Sequence, residues 1–112
     1  MAKLERTLNG DFQDLLSRIE KGIVNSSATA TLEAESDFSN SGARCSVRVF
    51  ERYSMFGGNR VSLSVTMFQS GIDAPIMLSA VTSGGSQAMF FKVNTFGEEA
   101  FLKIIDSLLD AR

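Results

Sequence analysis

The stretch 45–68 constrains the fold most, because its side chains alternate in character on either side of the turn Phe56-Gly57-Gly58-Asn59. Alternation with a period of two predicts β-strands, and a glycine-rich turn favours antiparallel pairing of neighbours. We expect the core to receive Cys45, Val47, Val49, Val61, Leu63, Val65 and Met67. We expect the opposite face to carry Arg44, Ser46, Arg48, Phe50, Arg52, Arg60, Ser62, Ser64, Thr66 and Phe68. The hairpin therefore predicts a sheet with one apolar face and one arginine-rich face.

A helix is predicted near the start of the chain, where apolar residues recur at helical spacing. Its apolar stripe consists of Phe12, Leu15, Leu16, Ile19 and Ile23. Asn9 or Asp11 can cap its first turn, and Gly22 is placed to end it. The preceding segment 3–8 is ambiguous, since it could extend the helix or form a short extended piece.

Further strands are predicted on both sides of the central hairpin. The segment 27–35 alternates with a period of two, and Ser39-Asn40-Ser41-Gly42 suits a hairpin loop. Two later stretches, 76–82 and 87–94, are apolar on both faces, as in strands whose two sides are covered. Thr95 and Glu98 then form a capping box, which predicts a final helix with the stripe Ala100, Phe101, Ile104, Ile105, Leu108 and Leu109.

The predicted fold is α+β, with an N-terminal helix, an antiparallel meander sheet of about five strands and a C-terminal helix. Both helices are expected to pack on one face of the sheet. At 112 residues the chain has the length of a single domain, which we assign to residues 1–112.

Composition excludes several classes of function. The chain has no histidine and one cysteine, Cys45, so it can form neither a Cys–His dyad nor an internal disulfide. Its net charge of -2 argues against nucleic acid as a partner, and no apolar run approaches the length of a membrane span. We expect a cytoplasmic protein with no membrane contact, no cofactor, no metal and no catalytic residues.

The arginine-rich face is one candidate site. A guanidinium group binds a carboxylate or phosphate at two points, so a small anionic ligand could bind here. The residues of this predicted ligand site are Arg48, Arg52, Arg60, Ser62 and Ser64. The simpler interpretation is ordinary cross-strand pairing, with Glu33 near Arg48 and Glu35 near Ser46.

Aromatic residues on the nominally polar face suggest a second interpretation, in which another copy of the chain covers that face. Large exposed apolar patches are unusual in monomers and often mark interfaces. The predicted homodimer interface includes Phe50, Phe68, Met77 and Phe90. A long loop or the segment 3–8 could cover the same residues instead.

Glu51 and Tyr53 raise a third possibility, an enzyme. The alternation places Glu51 on the core side beside Tyr53, and a buried carboxylate can act as a general acid or base. The alternative is that the strand end lets the Glu51 side chain reach water.

Three blocks carry a resemblance to a known family: Gly10-Asp11-Phe12, the segment 44–60 and the segment 83–91. In these blocks the chain resembles a small bacterial domain-of-unknown-function family of similar length. The resemblance implies a bacterial cytosolic protein and supplies no activity. We therefore expect a non-catalytic binding or assembly protein that acts as a homodimer. The alternatives are a small anionic-ligand binder and an enzyme using Glu51 and Tyr53.

Overall fold

The computed structural model describes residues 1–53, 60–84 and 105–109. Within them the elements are β1 (Ala2–Leu8), α1 (Phe12–Val24), β2 (Thr31–Asn40), β3 (Ala43–Tyr53), β4 (Arg60–Gln69) and β5 (Ile76–Gly84), and residues 105–109 are helical. The turn predicted at 56–59, the strand predicted at 87–94, the capping box and Phe90 lie outside the described residues.

The strands form one antiparallel sheet in the order β1-β5-β4-β3-β2. Strands β2 to β5 follow one another as a meander, and β1 pairs with the outer edge of β5, from Ala2 opposite Thr82 to Leu8 opposite Ile76. The predicted α+β class with an antiparallel sheet is confirmed, and the ambiguous segment 3–8 belongs to a strand. Because β1 and β2 are the two edge strands, α1 connects opposite edges of the sheet.

Helix α1 begins and ends for identifiable reasons. The Asp14 backbone N–H donates to the Asp11 carboxylate over 2.8 Å, so Asp11 is the cap. The predicted apolar stripe is confirmed, since all five of its residues are buried. The expectation that Gly22 ends the helix was wrong, because the helix continues to Val24 and Asn25 caps it. Gly22 instead lies against Leu108, which leaves no room for a side chain.

The hydrophobic core joins α1, the sheet and the segment 105–109. The stripe of α1 packs in one cluster with Phe50 of β3 and alternate residues of β4 and β5, and Ile105 and Leu109 belong to the same cluster. The face of the sheet that carries these alternate residues is called the helix side below. Its β4 members, Val61, Leu63, Val65 and Met67, are the core residues predicted for that strand.

The predicted orientation of β3 was wrong. Phe50 is 0% exposed and pairs with Leu63, while Arg48 is 5% exposed and pairs with Val65. Directly paired residues point to the same face of a sheet, so Phe50 and Arg48 lie on the helix side. The residues predicted to be in the core, Cys45, Val47 and Val49, lie on the opposite face and are only partly buried.

A bulge in β2 changes which residues face α1. Leu32 pairs with Phe50 and Ala34 with Val49, so no residue of β3 pairs with Glu33. The in-and-out alternation of β2 therefore shifts by one position after Leu32. As a result Glu35, and not Glu33 as predicted, stands opposite Arg48. The predicted hairpin is confirmed, but its turn is shorter than predicted, because Ser39 and Asn40 belong to β2 and only Ser41 and Gly42 connect the two strands.

Candidate functional site

The face of the sheet opposite the helix side presents a row of exposed apolar residues. We call this face the open face. The strand registers place Phe38 of β2, Cys45 of β3, Phe68 of β4 and Met77 of β5 side by side, followed by Thr7 of β1. The exposed fractions are 67% for Phe38, 40% for Phe68 and 54% for Met77. This apolar row therefore crosses four of the five strands of the described sheet and ends beside Thr7 of β1.

The remainder of the open face between β2 and β5 is small and carries almost no charge. Below the apolar row it consists of Ala34, Ser36, Val47, Val49, Ser64, Thr66, Ser79 and Val81. Charged side chains occur at the rim, with Lys3 and Glu5 on the edge strand β1, and Glu51 and Arg60 at the end remote from the row. An uncharged centre is typical of a surface that another molecule covers.

Phe68 separates two shallow depressions on the open face. One is bounded by Phe38, Cys45 and Phe68, with the small Cys45 at its centre. The other is bounded by Phe68, Met77 and residues of β1, including Thr7. The open face therefore alternates between large projecting side chains and recesses at small ones.

Glu51 lies in a polar cluster at the far end of the open face. Its carboxylate forms an ion pair with Arg60 and accepts a hydrogen bond from Ser62 Oγ over 3.3 Å. The guanidinium of Arg60 lies 5.7 Å from the centre of the Tyr53 ring. The prediction that Glu51 points into the core was wrong, because its face is the open one. Its carboxylate is held by a cation and a hydroxyl group.

The five residues predicted to bind an anion lie on two different faces of the sheet. Arg48 and Arg52 belong to the helix side, as their pairing with Val65 and Val61 shows. Arg60, Ser62 and Ser64 belong to the open face, where Ser64 pairs with Val49. The backbone of the sheet separates the two groups, so the structure does not bring them together around one ligand.

Arg48 is committed to contacts within the protein. Its Nη1 lies 3.1 Å from Asp37 Oδ1 and donates to the Val47 carbonyl over 3.0 Å. Its Nε donates to the Glu20 carboxylate of α1, and Glu35 lies 3.9 Å from its Nη2. Burial alone would lower the pKa of Arg48, but the hydrogen bonds to Glu20 and Asp37 outweigh burial and raise it. This guanidinium therefore ties α1 to the β2–β3 hairpin.

Asp37 is held ionised by the same network. Ser46 Oγ donates to its carboxylate over 2.6 Å. This hydrogen bond, followed by that from Arg48, lowers the pKa of Asp37. Hydrogen bonds to a carboxylate favour its charged form, which explains the direction of the shift.

A cleft of about 650 Å³ separates the first turn of α1 from the end of the β2–β3 hairpin. In it the Arg44 guanidinium lies 4.1 Å from the centre of the Phe12 ring and donates to Gln13 Oε1 over 3.3 Å. Asp37 and Arg48 also line this cleft, and Arg48 is in addition ion-paired with Glu20 and Glu35. Because these carboxylates offset the arginines, the cleft offers an anion little net attraction.

Sequence reasoning missed Phe38 as a member of the open face. The predicted strand stopped at Glu35, whereas β2 continues to Asn40. The alternation Ser36-Asp37-Phe38-Ser39 was the available signal, and it leads directly into the turn of the hairpin. Of the predicted interface residues, Phe68 and Met77 are neighbours on the open face, while Phe50 is buried on the helix side.

Comparisons with known proteins identify a family without assigning a role. A protein-family model matches residues 1–112, and its description is a family of unknown function, which confirms the resemblance noted in the sequence. Neither a curated protein nor a solved structure matches the chain. Among the described residues, none of the helices has the length and apolar character needed to cross a membrane.

Proposed function

The chain belongs to that family, DUF6054, and because membership brings no assigned activity, we propose a function from the surface of the molecule. The protein is a non-catalytic binding or assembly protein of the bacterial cytosol that acts as a homodimer. Its interface is the open face of the sheet.

The observation that carries this proposal is the apolar row. Phe38, Phe68 and Met77 expose large apolar surfaces next to one another, and removing apolar surface from water contributes about 25 cal/mol per Å². Single exposed apolar residues are common, but a continuous row on a flat, uncharged face is not. A complex that removes this row from water is therefore stabilised by the burial of its apolar surface.

A second copy of the chain fits this face in charge and in size. The centre of the face offers a partner no charge to pair with, so the matching surface must itself be uncharged, as this face is. Five strands spaced about 4.8 Å apart make the face roughly 20 Å wide, and its four rows of side chains give it a similar length. Such a face covers about 400 Å² in projection, and the relief of its side chains brings the accessible area closer to the roughly 600 Å² per partner of the smaller specific interfaces.

The test is the molecular mass in solution of the wild type and of two lysine variants. We expect a dimeric wild type and a monomeric Phe68→Lys, because the substitution places a charge at the centre of the interface. Val24→Lys is the matched control, since Val24 is an exposed apolar residue at the end of α1. It should remain dimeric. A monomeric wild type, or equal behaviour of the two variants, contradicts the proposal.

The alternatives predicted from the sequence receive less support from the geometry. An anionic ligand would compete with the carboxylates that already contact Arg48 and Arg60. An enzyme built on Glu51 would first have to break its contacts with Arg60 and Ser62.

A further inference from the structure

Resting on the proposed homodimer, we infer its geometry: the two sheets stack face to face about a two-fold axis that runs parallel to β4. Strand β4 is the middle of the five strands, so this axis places β4 over β4 of the second copy. The same rotation places β5 over β3 of the second copy and β1 over its β2. Phe68 then meets its own counterpart at the centre of the interface.

The sizes of the side chains in the apolar row support this orientation. Across the sheet the row reads Phe38, Cys45, Phe68, Met77 and Thr7. Reversing it about Phe68 puts Met77 over the second copy's Cys45 and Phe38 over its Thr7. Met77 and Phe38 thus each enter one of the two recesses beside Phe68, while Phe68 faces its own counterpart. Such interdigitation is how stacked sheets fill the space between them.

The charges at the rim are compatible with the same orientation. Lys3 and Glu5 of the edge strand β1 stand over β2 of the second copy, where the open face carries Ala34 and Ser36. Glu51 of β3 stands over β5 of the second copy, near Ser83. Arg60 lies on β4 and therefore faces its own counterpart, but each Arg60 is ion-paired with Glu51 of the same chain and lies at the rim, where it can reach water.

A two-fold axis perpendicular to the strands is less favourable. If it passes through the centre of the face, the apolar row lies over the polar end of the second copy, and Cys45 meets Glu51. If it passes through the row itself, Phe38 meets Phe38 and Cys45 meets Cys45, so large side chains oppose large ones and recesses oppose recesses. Only part of the face is then covered.

The two orientations differ in how far a residue lies from its own counterpart. Stacked sheets lie about 10 Å apart, and Ser64 of β4 is on the proposed axis, so the two copies of Ser64 are separated by little more than that gap. Ser36 of β2 is two strands from the axis. Besides the gap between the sheets, its two copies are therefore displaced from each other by about 19 Å across the strands.

Thiol cross-linking tests the geometry with nearly isosteric substitutions. In a Cys45→Ser background, Ser64→Cys and Ser36→Cys are each treated with an ethylene-bridged bismaleimide, and the mass of each variant in solution is measured beforehand. We expect a covalent dimer on a denaturing gel for Ser64→Cys, with at least a tenfold lower yield for Ser36→Cys. Ser36 is the matched control because it is an exposed serine on the same face.

The outcomes separate this inference from the proposed function. If the variants have dimeric mass but Ser36→Cys cross-links as readily as Ser64→Cys, the orientation is overturned and the homodimer stands. If the variants have dimeric mass but neither position cross-links, the interface lies elsewhere. That result overturns both the orientation and the assignment of the open face as the interface. Monomeric mass of the Cys45→Ser background and of the wild type overturns the homodimer itself.

Discussion

Gly22 of α1 touches Leu108 so closely that a Cβ atom on Gly22 would stand 2.5 Å from both δ carbons of Leu108. Two helical segments therefore meet at this point with only a hydrogen atom between backbone and side chain. Arg6 of β1 also reaches the segment 105–109, where its Nη2 lies 3.0 Å from Asp106 Oδ1. The position of this segment depends on both contacts.

Gly22→Ala is expected to destabilise the protein by about 1 kcal/mol, because crowding of Leu108 outweighs the gain in helix propensity. In a Leu108→Ala background the same substitution should instead stabilise by about 0.5 to 1 kcal/mol, since only the propensity gain remains. Urea unfolding of the four proteins measures both changes. Equal effects in the two backgrounds would show that the contact is absent.

The buried ion pairs of Arg48 predict that losing its carboxylate partners destabilises the protein more than losing Arg48 itself. Glu20→Gln combined with Asp37→Asn leaves a buried cation with weakened partners and should cost about 3 to 5 kcal/mol. Arg48→Met should cost less, about 1 to 2 kcal/mol, because the carboxylates it releases are partly exposed and can be hydrated. Denaturant unfolding of both variants decides the order. The reverse order would mean that the guanidinium also reaches water.

The depressed pKa of Asp37 predicts an acid-sensitive contribution to stability. Its folded pKa lies below the ordinary value of 3.8, so the contribution is fully present above that pH and is lost as the pH falls through the folded pKa. Unfolding free energies measured between about pH 5 and pH 2 should fall less steeply for Asp37→Asn than for the wild type. In Ser46→Ala, carboxyl NMR should report a higher Asp37 pKa, because the largest cause of the depression is removed.

Asp11 contributes to the start of α1 as its cap. Asp11→Ala should lower the unfolding free energy by about 1 kcal/mol, because the Asp14 backbone N–H loses its acceptor. Asp11→Ser should retain most of that stability, since a hydroxyl group caps as well. Thermal unfolding compares them with Asp73→Ala in the loop 70–75, which should change little. If Asp11→Ser lowers the unfolding free energy as much as Asp11→Ala does, the charge of Asp11 stabilises the helix and its capping hydrogen bond does not.

Two phenylalanines on opposite faces of the sheet should respond differently to truncation. Phe50→Ala leaves a cavity in the core and should cost about 3 to 5 kcal/mol in unfolding free energy. Phe38→Ala should cost the monomer less than about 1 kcal/mol, because its side chain is largely exposed, and should weaken dimerisation instead. Unfolding curves at two protein concentrations separate these effects.

The periodicity of the chain predicted where most described elements lie but not which face of β3 is buried. Leu15, Ile19 and the β4 residues were assigned correctly, because each of those elements has one clearly apolar side. In β3 the arginines suggested a solvent-facing side, yet Arg48 is buried with carboxylate partners from α1 and β2. Alternation gives the period of a strand, and tertiary contacts determine its orientation.

The bulge at Glu33 explains the second difference. A bulge adds one residue without changing the local composition, so the pattern of the segment 27–35 does not predict it. It moves Ala34 to the open face and turns Glu35 toward Arg48. The candidate site was predicted only in part: Phe68 and Met77 were found, while Phe38 was missed because the predicted strand stopped at Glu35.

The pairing of β1 with β5 delays completion of the sheet during synthesis. Residues 2–8 are made well before their partners, residues 76–82. The meander β2 to β5 can form by local hairpins, whereas β1 must wait until β5 has left the ribosome. Of the described strands, β1 is therefore expected to be the last to join, and the outer edge of β5 stays available to other strands until it does.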